Sequence, residues 1–261
     1  MPGDNGGLAA ECLARAVPDG NTLAMCVPTH LVGSLLGQSS RYDPLADFCP
    51  VHLIARNSMA LAVGKNLNVQ SVAGLIELAR AKPGELIYGA SALGGGPHLC
   101  AVLFESLTGA RFQRKLYAET DALFDDLAKA NIALTFNNPT SVLRQARLGR
   151  LNVLATTSRE VNGMMPGVPI LAEAVPGFEF TSWVGMLAPA HTPLPIMSSL
   201  HEAVCRTLAE PEMKRCLQEL GLQAEQGTPA DFAAYLRAEF ERWTGFAYAN
   251  PLAFPRLRPR S

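Results

Sequence analysis

The sequence predicts an α/β fold. Short apolar segments of strand length are predicted at 22–27, 86–88 and 132–136, and each is followed by a loop of small or polar residues. Apolar residues at helical spacing come after each loop. Because ligands of open α/β sheets bind beyond the carboxyl ends of the strands, these loops are where we expect the functional site.

The remaining elements follow from the same patterns. Further strands are predicted at 51–54, 58–63, 112–117, 151–156 and 183–188. Helices are predicted at 8–16, 31–36, 98–108, 122–129, 142–148, 194–209 and 211–221, with two more that begin after the N-cap residues Ser71 and Thr228. Trp243 closes one face of the last helix.

Composition excludes several classes of protein. The chain has 261 residues, 48% of them hydrophobic and 17% charged, with a formal net charge of −1. A large globular core is therefore expected, and a nucleic-acid partner is not, since that would need a basic face. No apolar stretch is long enough for direct membrane insertion, and residues 1–4 do not resemble a signal peptide, so taken literally the chain is cytoplasmic.

The six cysteines are scattered and form no C-x-x-C motif. Their apolar or helical surroundings favour small buried hydrophobic residues over disulfides or a zinc site. We therefore predict no metal and no cofactor.

The loop after the strand at 86–88 carries the clearest functional signal. Gly94, Gly95 and Gly96 precede a helix, and glycines let a ligand approach the backbone. A helix N-terminus presents free N–H groups and favours negative charge, which predicts binding of a small carboxylate. Ser91 adds a hydroxyl and His98 stands in the first helical turn. The alternatives are a purely structural turn and, for His98, a structural hydrogen bond; the loop is neither a P-loop nor a dinucleotide fingerprint.

Two further candidates lie after other strands. Thr29 is either a ligand hydroxyl or an N-cap, and Asn137 is either an amide donor to a carboxylate or a turn residue.

A set of segments matches a known family in order and spacing, from residue 1 to about Trp243. The segments are PGDNGG at 2–7, AVPDG at 16–20, YDPLADF at 42–48, the loop at 88–99, FNNP at 136–139, LGRL at 148–151, PGVP at 166–169, SWVG at 182–185 and LAP at 187–189. The chain thereby resembles the Bug family, the substrate-binding proteins of tripartite tricarboxylate transporters.

The resemblance implies a type 2 periplasmic-binding-protein (Venus flytrap) fold, with two α/β domains joined by crossover strands that close on a small organic acid. It also implies a monomeric periplasmic receptor without catalytic activity, whose partners are membrane transporter subunits or a sensor domain. The implied division is 1–63 with 187–243 as domain 1, 64–186 as domain 2, and 244–261 as a divergent, disordered tail.

The chain departs from the family pattern at both ends. It begins after the segment in which the family carries a signal peptide, a first strand and a first ligand loop, so we expect an N-terminally truncated domain 1 with an unpaired sheet edge and exposed apolar surface. Two alternatives to the receptor remain at this point: an inactive truncated fragment, and a hydrolase with Ser91 as nucleophile and His98 as base. The hydrolase lacks both a G-x-S-x-G elbow and an acid to orient the histidine.

Overall fold

The protein consists of two compact α/β units in a computed structural model that describes residues 6–36, 41–158, 164–251 and 254. The first unit comprises 1–56 and 183–261, and the second comprises 57–182. Within the described ranges, no helix combines the length and apolar character needed to cross a membrane. Residues 2–5 of the first glycine-rich segment and 255–261 of the predicted tail lie outside these ranges.

The first unit is a four-stranded sheet with helices. Its strands are β1 (Ala24–Cys26), β2 (Phe48–Asn57), β8 (Ser182–Pro189) and β9 (Gln223–Ala224), in the order β1-β8-β2-β9. Its helices are α1 (Gly7–Ala14), α2 (Thr29–Leu35), α8 (Leu194–Ala209), α9 (Pro211–Glu219) and α10 (Pro229–Ala249). The order places β1 at an edge, where Met25 and Val27 are exposed. The edge borders a groove of about 100 Å³ between α1, β1 and α2.

The second unit is a five-stranded mixed sheet with helices. Its strands are β3 (Ala60–Gly64), β4 (Ile87–Ala90), β5 (Gln113–Leu116), β6 (Leu134–Asn137) and β7 (Leu151–Thr156), in the order β5-β4-β6-β3-β7. Its helices are α3 (Val72–Ala81), α4 (Gly96–Thr108), α5 (Thr120–Ala128), α6 (Pro139–Arg147) and α7 (Leu171–Ala174), with a 3₁₀ turn at Lys65–Leu67.

Strand β3 belongs entirely to the second unit. It pairs antiparallel with β6 and with β7 and is buried along its whole length. The sequence predicts a boundary at 63/64, whereas the units separate at 56/57, because β3 completes this sheet rather than the first one.

The core of the second unit supports the segment that follows β4. Phe104 of α4 packs edge-on against Phe136 of β6, with ring centroids 6.0 Å apart, and Phe136 stacks on Phe178. Gly89 has no room for a side chain, since a Cβ there would meet Ile132 Cδ1 at 2.5 Å. The start of α4 is therefore held against a fully packed sheet.

Two local predictions are confirmed by side-chain caps. Ser71 accepts a hydrogen bond from the Gly74 N–H at the start of α3. Thr228 and Asp231 form a reciprocal capping box at the start of α10.

The structure corrects the predicted tail. Helix α10 continues to Ala249, although the sequence predicts disorder from 244. The helix is extended by aromatic packing that the pattern did not reveal: Phe246 packs edge-on against Trp243 and against Phe254, which is fully buried.

The prediction that the cysteines are buried is confirmed for two of the six. Cys26 and Cys100 are buried, whereas Cys12 on α1 and Cys216 on α9 are exposed, and Cys49 and Cys205 are half-buried. The predicted burial of Cys12 and Cys216 is wrong because both stand on the solvent side of their helices.

Candidate functional site

Most of the predicted site residues lie along the carboxyl edge of the second unit's sheet, which is the line on which strands β4 and β6 end. Strands β4 and β6 are parallel neighbours, with Gly89 opposite Thr135, so the loops that follow them emerge side by side. Strand β3 is antiparallel to both β6 and β7, so the start of β3 and the end of β7 meet at the same edge. The edge thus brings together Ser91, Gly94, Gly95, Gly96, His98 and Asn137.

The first turn of α4 contains two backbone N–H groups without an intrahelical acceptor, on residues that are buried in this structure. Gly95 is the N-cap residue and has no side chain with which to cap the helix. Pro97 has no N–H, so the donors of this turn are the N–H groups of Gly96 and His98, which have no intrahelical acceptor. Ser91, at the start of the loop, is exposed. The arrangement suits an anion, which accepts hydrogen bonds and is favoured by the helix dipole.

The glycines of this loop have distinct structural roles. Gly94 has φ +75°, a left-handed conformation that favours glycine. Gly96 lies against Met59, whose Cε would be 3.3 Å from an added Cβ. Gly95 has ordinary extended backbone angles, and a Cβ there would approach no atom more closely than the Ala92 carbonyl oxygen at 3.4 Å. Of the three, Gly95 is therefore the position that tolerates a side chain most readily.

His98 is buried beneath the loop rather than exposed on it. Its ring is fully inaccessible, and its Nδ1 accepts a hydrogen bond of 3.1 Å from the Gly94 N–H. Nε2 lies 3.3 Å from Arg114 Nη1, which can only donate, so both ring nitrogens face N–H donors and a doubly protonated, cationic ring is disfavoured. Burial, and after it the nearby guanidinium, lowers the pKa of His98 from its usual 6.5 to about 3. The side chain therefore positions the loop, which is the structural alternative among the predictions for this residue.

The loop after β6 is stabilised by its own side chains. Asn137 Oδ1 accepts from the Asn138 N–H at 2.8 Å, which fixes the amide orientation and leaves Nδ2 as the group that can donate to a ligand. Asn138 Oδ1 accepts from both the backbone N–H and the hydroxyl of Thr140, so α6 has a side-chain cap.

Sequence reasoning missed two residues at this edge, Thr157 and Met59. Thr157, just after β7, accepts from the Met59 N–H through its hydroxyl and donates its own N–H to the Met59 carbonyl, both at 2.8 Å. These bonds fix Met59 against Gly96. No pattern in the chain could have shown this, because the two residues are 98 positions apart.

Thr29 lies in the first unit. It is the first residue of α2, while Pro28 is the N-cap, so the N-cap alternative for Thr29 is wrong. The residue is half-buried and borders the groove beside β1.

Comparison with known proteins gives a consistent set of relatives. The tripartite tricarboxylate transporter family receptor, TctC, matches residues 1–249. The protein BugT of Bordetella pertussis is 28% identical over 246 residues, which are 93% of this chain and 76% of BugT.

Two solved structures are similar in fold and sequence. R. palustris Rpa4515 with adipate has a TM-score of 0.87 and 35% identity, covering 95% of this chain and 84% of that one. MatC from Rhodopseudomonas palustris with bound malate has a TM-score of 0.84 and 25% identity, covering 93% and 84%.

These similarities confirm the predicted type 2 periplasmic-binding fold. The family match also ends at 249, six residues beyond the last residue, Trp243, that the sequence motifs supported. With a fold of two α/β units and a family match over nearly its whole length, the chain belongs to the TctC/Bug family of tripartite tricarboxylate transporter receptors, which are non-catalytic solute-binding proteins.

Proposed function

We propose that this receptor binds a small aliphatic dicarboxylate and that one carboxylate of this ligand occupies the N-terminus of α4. The observation that carries the proposal is the first turn of α4, in which a glycine N-cap leaves the Gly96 and His98 N–H groups without a side-chain partner. Each such donor is stronger toward a carboxylate than toward a neutral acceptor.

The other proposed ligand contacts come from Ser91 and Asn137, at the same edge of the sheet. The exposed Ser91 hydroxyl and the Asn137 Nδ2 both donate, so a carboxylate meets donors only and no competing negative charge from these two residues. Adipate and malate, bound by two relatives, are both short dicarboxylates, and this supports the choice of ligand class. Thr29 stays a predicted contact from the first unit.

The wider role is also part of the proposal. The receptor presents its ligand to the membrane subunits of a tripartite tricarboxylate transporter, or to a sensor domain, in the periplasm. It acts as a monomer.

The hydrolase alternative loses its base in this geometry. His98 is inaccessible, its Nδ1 is held by Gly94 and its pKa is lowered to about 3, so it is a poor acceptor for a proton from Ser91.

Calorimetric titration tests the proposal. We expect adipate or malate to bind the wild-type chain, and the neutral diamide of adipate to bind at least about tenfold more weakly, because hydrogen bonds to a charged group contribute about 1.5–3 kcal/mol each. Ser91→Ala should weaken dicarboxylate binding by about tenfold for the same reason. Ser199→Ala, at an exposed position of α8, is the matched control and should bind as the wild type does. Equal affinity for diacid and diamide would overturn the proposal.

A further inference from the structure

Three residues with metal-binding side chains come together in the first unit. His52 lies on β2, and His201 and Cys205 lie on α8. Residues four apart in a helix share one face, so the histidine and the cysteine of α8 are presented together. One ligand atom from each of the three lies within 4.8 Å of the others, and this is the one such group of His, Cys, Asp or Glu among the residues that the structure describes.

The hydrogen bonds around the two imidazoles fix where their lone pairs are. His52 Nε2 lies 3.3 Å from the Glu225 carbonyl, and His201 Nδ1 lies 3.2 Å from the Val51 carbonyl. Because a carbonyl oxygen only accepts, each of these nitrogens carries the proton of a neutral ring. The lone pairs then belong to His52 Nδ1 and His201 Nε2. The His52 lone pair faces the His201 Nδ1–H at 3.2 Å, a contact that it would exchange for a metal ion.

The cysteine completes the pattern. Cys205 Sγ lies 3.5 Å from His201 Nε2, on the side of that ring that carries the lone pair. Metal-binding histidines typically donate their second N–H to a carbonyl or carboxylate, which holds the ring in place and raises its basicity as a ligand. Both histidines have such a carbonyl partner.

We propose that His52 Nδ1, His201 Nε2 and Cys205 Sγ form a binding site for a zinc ion. A thiolate with two imidazoles is a donor set that suits Zn²⁺. Ligand atoms of a tetrahedral zinc site lie roughly 3.3–3.6 Å apart; Cys205 Sγ and His201 Nε2 are already at 3.5 Å, so the adjustment on binding is required mainly at His52. On binding, the thiol releases its proton to solvent and the sulfur bonds to the metal. Both imidazoles bind as neutral rings and keep their outer hydrogen bonds.

The surroundings provide access and leave one coordination position open. His201 lines a cavity of about 420 Å³, together with Cys49, Met197 and Glu202 among others. An ion can therefore reach the ring from this cavity. The described part of the chain supplies three ligands, so water takes the fourth position. The bound metal would link β2 to α8 and stabilise the first unit against unfolding.

The test is a titration of the reduced, untagged protein with Zn²⁺ in competition with a chromogenic chelator, and with Co²⁺ as a spectroscopic probe. We expect one Zn²⁺ per chain and a thiolate-to-Co²⁺ charge-transfer band. Cys205→Ser should abolish the band and weaken Zn²⁺ binding by at least about tenfold, the lower end of what losing only an outer partner costs. His201→Gln, at a half-exposed position, should weaken Zn²⁺ binding while retaining the band with excess Co²⁺.

Cys216→Ser is the matched control, since it removes an exposed thiol from the neighbouring helix α9. It should bind Zn²⁺ as the wild type does. Wild-type protein that shows no thiolate band, or a Cys205→Ser variant that binds with unchanged affinity, would overturn the proposal. The wild-type spectrum decides this even if a variant fails to fold, and dicarboxylate binding is not part of either readout.

Discussion

Two neighbouring loops of the second unit have the same construction but opposite chemistry. Parallel strands β4 and β6 each lead through a short loop into a helix. At α6 the Asn138 side chain accepts from Thr140, so the helix is capped by the protein itself. At α4 the N-cap is Gly95, which has no side chain, so no N-cap side chain accepts from the first turn. An anion is therefore expected at α4 and not at α6.

The largest expected effect comes from giving α4 its own cap. Gly95→Asp places a carboxylate where the ligand is proposed to bind, and the extended backbone of Gly95 accepts this residue without strain. The new side chain accepts the His98 N–H and repels an anion, so dicarboxylate affinity should fall roughly a hundredfold by calorimetry, since a lost hydrogen bond to a charged group costs up to about 3 kcal/mol.

Two variants separate the causes of that effect. Gly95→Asn caps the helix without adding charge and should reduce affinity less than Gly95→Asp does. Asn138→Asp makes the corresponding charge change at α6, where the half-buried side chain is engaged with Thr140, and should reduce affinity less than Gly95→Asp does. Unchanged dicarboxylate affinity in Gly95→Asp would contradict the proposed position of the carboxylate.

The second prediction concerns the pH dependence of the free energy of unfolding. Of the two loops, only the one before α4 is held by a histidine, His98. The unfolded chain protonates His98 near pH 6.5, whereas the folded chain does so near 3. The unfolded state therefore takes up more protons as pH falls between these values, so this group's contribution is complete above pH 6.5 and is lost in acid. The free energy of unfolding should fall by about 1.4 kcal/mol per pH unit below 6.5.

Urea denaturation at several pH values measures this slope. His98→Asn, whose amide oxygen can replace Nδ1 as the acceptor for Gly94, is the control, since the difference between the two profiles removes the contribution of the other buried histidines. Parallel profiles for the two proteins would show that His98 does not titrate as we expect.

The smallest effect is expected at the capped helix. Asn138→Ala removes the acceptor for Thr140 and should lower the free energy of unfolding by about 1 kcal/mol. Its dicarboxylate affinity should stay close to that of the wild type, because this helix is already capped. A loss of affinity larger than the Ser91→Ala variant shows would mean that the ligand lies at α6 instead.

Local sequence signals predicted much of this structure. Strand β7 and helix α8 have the predicted bounds, and the caps at Ser71 and Thr228 are where the sequence placed them. The glycine loop before α4 was also predictable, because glycine, proline and hydroxyl residues act through the conformation of their immediate neighbours.

The interior position of His98 could not be predicted in this way. Its burial depends on the packing of α4 against the sheet, and its charged neighbour Arg114 stands 16 residues away on an edge strand. A histidine in a first helical turn looks the same in sequence whether it faces a ligand or the core.

By itself, the sequence determined the α/β class, the order of the elements and the loop with its free N–H groups, because these depend on residues that are close in the chain. Only the tertiary structure decided that β3 joins the second sheet and that His52 lies beside His201, 149 residues away. Contacts of this kind depend on how whole helices and strands pack together, and hydrophobic periodicity does not specify that packing.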